Sequence, residues 1–140
     1  MLRMLLTALT LLTVAGCAPL PPTPQDIQAK RFEAVPGQAV IYIVRTPMDS
    51  REMGGLWLDD RVQIATFGGT YYRWEVPPGT HRISTSNVGH ASVTLNAAAG
   101  NIYFVEHTVR GTIRSGPQSA FLRRVDDQYG RAAVDRSQLL

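Results

Sequence analysis

The chain of 140 residues holds a single cysteine, Cys17. One thiol cannot form an intramolecular disulfide, so the fold has to stand on its apolar core. Long apolar runs are missing as well. Residues Leu5 to Val14 are uncharged and nearly all apolar or threonine, but they fall well short of the ~20 residues that a membrane-spanning helix needs. Charge of one sign is also scarce: 14 Lys and Arg face 11 Asp and Glu. Opposite charges are interspersed, with Arg61 beside Asp59-Asp60 and Arg123-Arg124 beside Asp126-Asp127. No basic stripe tracks a phosphate backbone, which argues against nucleic acid as a partner. Motifs with a built-in mechanism are absent too. The chain has no Gly-x-Ser-x-Gly elbow and no HxH or HxxxH pair. It has no glycine loop leading from a strand into a helix to cradle phosphate; Gly54-Gly55 and Gly68-Gly69 read as turns.

What is present starts at the N-terminus. Arg3 precedes the apolar run, and Val14-Ala15-Gly16-Cys17 closes it. A run of that length suits a secretory leader, and the four closing residues resemble the lipobox of bacterial lipoproteins. The plainer alternative is an ordinary secretory signal with a cysteine nearby. The lipobox resemblance implies cleavage before Cys17, a diacylglycerol thioether on its sulfur and commonly a further acyl chain, such as palmitate, on its amine. Two or more chains hold a protein stably on a bilayer, where one gives marginal binding. The implied location is the cell envelope. Ala18 rather than aspartate follows the cysteine, which favours the outer membrane, facing the periplasm.

Taking residues 1–16 as the leader leaves 124 of the 140 residues, enough for one domain. Arg3 departs with the leader, so 13 of the 14 basic side chains remain against 11 acids. Residues 17–37 read as the lipidated cysteine and a proline-rich tether, with Pro19, Pro21, Pro22, Pro24 and Pro36 among them. Proline fixes φ and removes a donor, so Pro19 to Pro24 should be extended, spanning about 20 Å at ~3.1 Å per residue. A short helix over Asp26 to Ala34 has only a weak apolar pattern.

From Ala39 the texture turns to short β-rich runs. Ala39 to Arg45 is apolar on both faces, as a central strand would be. Leu56-Trp57-Leu58, a turn at Asp59-Asp60, and Val62 to Phe67 form an expected hairpin. Tyr71 to Val76 and His81 to Thr85 flank Pro77-Pro78-Gly79, a second expected hairpin. Ala91 to Ala97 alternates, with Ala91, Val93, Leu95 and Ala97 inward. Ile102 to Val109 is the longest candidate strand, and Ala120 to Val125 the last. Asp126 or Asp127 then caps a short C-terminal helix through Val134, with Gly130 weakening it. The fold class expected is all-β: a seven- to eight-stranded antiparallel sandwich or open barrel over residues 38–126, with 127–140 a short helix or tail.

Several of these pieces recur together elsewhere. The lipobox, the Ala39–Arg45 strand, Leu56-Trp57-Leu58-Asp59-Asp60, Val76-Pro77-Pro78-Gly79-Thr80-His81 and Gly100-Asn101-Ile102-Tyr103-Phe104-Val105 resemble a family of small bacterial lipoproteins that carry a domain of unknown function. The proline-glycine-threonine-histidine corner is similar to hairpins of transthyretin-like, prealbumin-type β-sandwich modules. The resemblance implies a fold and a location, and brings no catalytic residues.

Candidate chemistry is sparse. His81 and His107 both read as inward-facing and would need to converge to hold a metal, while His90 lies in a turn. Zinc asks for three or four ligands, so satisfied histidines are the better reading, and no cofactor is expected. Ser84, Ser86, Ser92, Ser115 and Ser119 with Glu75 and Glu106 form no arrangement with a mechanism attached. Asp59-Asp60 and Asp126-Asp127 are adjacent pairs suited to turns and caps. Recognition falls to the aromatic cluster: Tyr72 and Trp74 fill the core, and Tyr71 and Arg73 form a candidate binding surface on the opposite face. The reading is a non-catalytic, lipid-anchored envelope module that binds another envelope protein. The alternative is a ligand-binding lipoprotein that touches a glycan such as peptidoglycan through an exposed aromatic groove.

Overall fold

The computed structural model describes residues 21–86, 89–112, 114 and 118–140. The lipobox with Cys17, and Ser115, lie outside the described residues. Among the described residues nine strands run in chain order as β1 (Ala39–Arg45), β2 (Gly54–Leu58), β3 (Val62–Thr66), β4 (Thr70–Val76), β5 (Gly79–Thr85), β6 (Ser92–Ala97), β7 (Ile102–Arg110), β8 (Ser119–Val125) and β9 (Gln138–Leu139). Helix α1 (Pro24–Ala29) precedes them, and α2 (Asp127–Asp135) lies between β8 and β9. One sheet has the order β8-β7-β1-β4-β9 and the other β3-β2-β5-β6, so the domain is an open sandwich.

The apolar pattern of β1 explains its place. All seven of its residues are buried, and it lies third of five in its sheet, covered on both faces. Ile41 and Ile43 meet Leu56, Leu58, Ile83, Leu95 and Val105 between the sheets. Tyr72 and Trp74 pack against this core, as expected. The opposite face of β1 supplies Val40, Tyr42 and Val44, which form a second core with Tyr71, Phe104, Ala29, Ala133 and Val134. The helices therefore cover the outer face of the five-stranded sheet, and the four-stranded sheet lacks such a cover among the described residues.

Three expectations are corrected. First, Pro24, expected to be extended, opens helix α1, which spans Pro24–Ala29 rather than Asp26 to Ala34. The Thr23 hydroxyl accepts from the Asp26 amide at 3.1 Å, and Pro24 opens α1 where its missing N–H costs nothing. Tyr42 then donates to the Ala29 carbonyl at 2.6 Å, satisfying the helix end. Second, β4 and β5 belong to different sheets and form no hairpin. Pro77 and Pro78 cannot extend a ladder, so the chain turns a corner there, with Gly79 at φ 147°. Third, not every pair is antiparallel: β1 runs parallel to β7, and β4 parallel to β9. The chain crosses to the other sheet and back twice between β1 and β7, which supplies the long connection a parallel pair needs.

Other features follow the sequence. β2 and β3 pair as a hairpin, with the Arg61 amide donating to the Leu58 carbonyl at 3.1 Å. Asp59 and Asp60 have φ of 51° and 54°, the signs of a type I′ turn. Asp59 is held there by the Arg82 amide at 2.8 Å. Asp126 caps α2, its carboxylate accepting from the Tyr129 amide. Gly130 sits inside that helix because a Cβ there would lie 2.1 Å from Phe104 Cγ.

Candidate functional site

The two sequence-predicted recognition residues part company. Tyr71 is fully buried, and its hydroxyl donates to Asp26 Oδ1 at 2.9 Å. It cannot serve as an exposed recognition residue. Its neighbourhood explains why: α1 lies over the outer face that alternation had assigned to solvent. Asp26 is itself buried and also pairs with Lys30 Nζ at 2.9 Å and accepts from the Leu139 amide at 3.0 Å. Burial opposes ionisation of Asp26, but the donors of Lys30, Tyr71 and Leu139 outweigh it and hold its pKa below the ordinary carboxylate value. Burial, and then the Asp26 carboxylate, push Tyr71 upward, so it stays a neutral donor.

Arg73 does reach a surface. Its Nε donates to the Tyr42 hydroxyl at 3.2 Å, and its guanidinium pairs with Glu75 two residues along the same strand. Both border a cleft of about 710 Å³, whose walls are Gln25 and Gln28 of α1, Glu33 to Pro36, and the chain end at Leu139 and Leu140. Tyr72 reaches the same cleft from the inner side of β4.

The cleft exists because β9 is too short to cover β4. β9 pairs only with Thr70 and Tyr71 of the seven-residue β4. The Gln138 amide donates to the Gly69 carbonyl, and the Leu140 amide to the Tyr71 carbonyl. Backbone groups alternate sides along a strand, so those of Arg73 and Glu75 also point outward on this edge. Past Tyr71, no strand among the described residues pairs with them on that side. An unpaired edge is a template for another extended chain. Sequence reasoning marked Arg73 from its residue type. It missed the edge because nothing in the C-terminal residues signals a two-residue strand.

The remaining candidates are structural. His81 Nδ1 is 2.6 Å from Asp59 Oδ2 and its Nε2 is 2.8 Å from the Pro77 carbonyl, so the ring ties the β2–β3 turn to the β4–β5 corner. His107 lies at the other end of the sandwich. Thr66 donates its hydroxyl to the Gly54 carbonyl at 2.9 Å, and therefore accepts from His107 Nδ1 at 3.0 Å. His107 Nε2 is buried without a partner. Burial, then the nearby Arg45 cation, lowers the His107 pKa to about 4. Leu58 pairs with Ile83 near one end of β2, and Gly54 touches His107 at the other. The two histidines are thus on the order of 20 Å apart at ~3.3 Å per strand residue, and they do not converge. His90 is exposed. Among the described residues no three His, Cys, Asp or Glu side chains are grouped to hold a metal. Glu106 is engaged by Arg123 and Tyr129, and no helix among the described residues is long and apolar enough to cross a membrane.

A second surface was not singled out in the sequence. Leu56 and Leu58 are core residues, so alternation places Trp57 between them on the outer face of the four-stranded sheet. It is only partly buried, and its cross-strand neighbours are Gln63 and Ser84. Ser92 follows beyond Ser84 in the same row.

No family model matches the chain, and no curated protein or solved structure matches it.

Proposed function

We propose that this chain is a non-catalytic, lipid-anchored module of the bacterial cell envelope that binds a protein through the open edge of β4. The observation that carries the reading is the uncovered backbone at Arg73 and Glu75 within the cleft beside α1. Extended segments bind such edges through main-chain hydrogen bonds, and flanking side chains select among them. The anchor is Cys17, and Ala18 after it favours the outer membrane, facing the periplasm. Pro24 and Gln25 lie at the cleft itself, so a tether ending there holds the edge near the bilayer.

The test is crosslinking in intact cells, followed by affinity purification from membranes and mass spectrometry, with Cys17→Ala as the control. The reading expects a specific envelope protein, which can include further copies of this chain, and its loss in the control. Recovery of abundant membrane proteins alone would contradict it.

One observation favours a second reading, a glycan-binding lipoprotein. Trp57 stands beside Gln63, Ser84 and Ser92 on an uncovered sheet face, a ring among hydrogen-bonding groups, as sugar recognition requires. Binding to purified peptidoglycan that is abolished by Trp57→Ala would establish this reading over the first.

A further inference from the structure

We infer that the open edge of β4 takes a second copy of this chain, the two β4 strands pairing antiparallel about a two-fold axis at Trp74. The inference rests on the reading of this chain as an anchored protein-binding module and names the partner. The limits of the edge point to the register. On one side Leu140 already occupies Tyr71; on the other Pro77 has no N–H to offer. The free stretch is therefore Tyr72 to Val76, and Trp74 is its centre.

Pairing about Trp74 sets Arg73 opposite Glu75 of the other copy, and Glu75 opposite its Arg73. Both residues turn their backbone groups toward this edge, so each pair exchanges two N–H···O bonds, four in all. The side chains of the two residues share the outer face of the strand and carry opposite charge, so both cross-strand pairs are attractive. A two-fold axis at Arg73 would set arginine against arginine, and one at Glu75 would set glutamate against glutamate. The alternation of charge selects the register centred on Trp74. Within one copy Arg73 and Glu75 already pair with each other, and the dimer exchanges these pairs between copies.

The anchors agree with this symmetry. The axis is perpendicular to the five-stranded sheet, so the outer faces of both copies, each carrying α1, lie on the same side. Both chains thus enter from that side and can reach one bilayer. A four-bond edge is weak between free molecules, and confinement to a membrane raises the effective concentration of copies.

The test uses full-length chains in membranes. Copies carrying Arg73→Cys and copies carrying Glu75→Cys, with different tags, are produced together and oxidised, and the parent chain with Cys17 alone is the control. Position 73 of one copy then faces position 75 of the other, while the remaining Glu75 and Arg73 keep their own pair. A heterodisulfide exceeding either homodisulfide on the order of tenfold is expected from this register. Equal yields, or no heterodisulfide, would overturn it. Arg73→Glu should weaken association about tenfold or more by opposing like charges, and adding Glu75→Arg should restore it. Unchanged thermal melts of the four variants show that folding is intact. A photoreactive group at position 75 reports any other occupant. Capture of a different protein there overturns self-pairing and leaves the protein-binding reading in place. Capture of nothing, here and in the envelope purification, overturns both.

Discussion

Individual side chains at one end of the sandwich form a polar cluster that charge counting does not reveal. Arg45 is fully buried, and its guanidinium donates to Asp49 Oδ2 and to the carbonyls of Ser50, Glu52 and Thr66. Asp49 in turn accepts from the Val109 amide. One arginine thus organises the loop between β1 and β2, and Gly54 is required because a Cβ there would lie 2.6 Å from His107 Cε1. His107 makes this cluster sensitive to acid. Its pKa falls from 6.5 to about 4 on folding, so between those values only the unfolded chain takes up the proton. Stability therefore falls as pH drops from about 6.5 to about 4, by up to about 3 kcal/mol, and is flat from this source outside that window. Urea unfolding across this range should show the slope, and His107→Gln should remove it. Phe104 provides a second residue-scale prediction. Gly130→Ala should gain about 1 kcal/mol of helix propensity but clash with the Phe104 ring. The clash, about 1–3 kcal/mol, wins, and the thermal midpoint should drop.

At the scale of elements, what alternation can specify and what it cannot become separate. β6 and the core side of β4 were legible because residues of one face are apolar in sequence, as in Val93, Leu95 and Ala97, and β1 because both of its faces are apolar. The Asp126 cap of α2 was legible because a carboxylate before a helix has a local partner, the Tyr129 amide. The solvent exposure expected of Tyr71 failed because it depends on α1, which is distant in sequence and only six residues long. Such a helix has no stability of its own and exists through its contacts to Tyr42, Tyr71 and Leu139. The same physics predicts where the domain starts. A chain beginning at residue 38 exposes Val40, Tyr42, Val44 and Tyr71 and should unfold or aggregate, while one beginning at residue 21 should melt as a single cooperative domain. Paired calorimetric scans of the two chains would decide this, and equal stability would contradict the docking of α1.

For the whole molecule, sheet membership and strand order were the least legible features. The Pro77-Pro78-Gly79 segment has the composition of a hairpin turn and makes a corner between sheets, because turn residues report that a chain bends and carry no information about where it goes. Likewise, nothing in Gln138-Leu139 announces a strand, yet its brevity leaves most of β4 uncovered. The proposed function turns on that edge being open in the isolated protein and covered by a partner in the envelope. Amide hydrogen exchange at Arg73 and Glu75 measures it most directly. In the isolated protein both amides should exchange rapidly while those of Tyr72 and Trp74, bonded to β1, stay protected. In native membranes Arg73 and Glu75 should become protected as well. Rapid exchange at both residues in membranes would contradict the account.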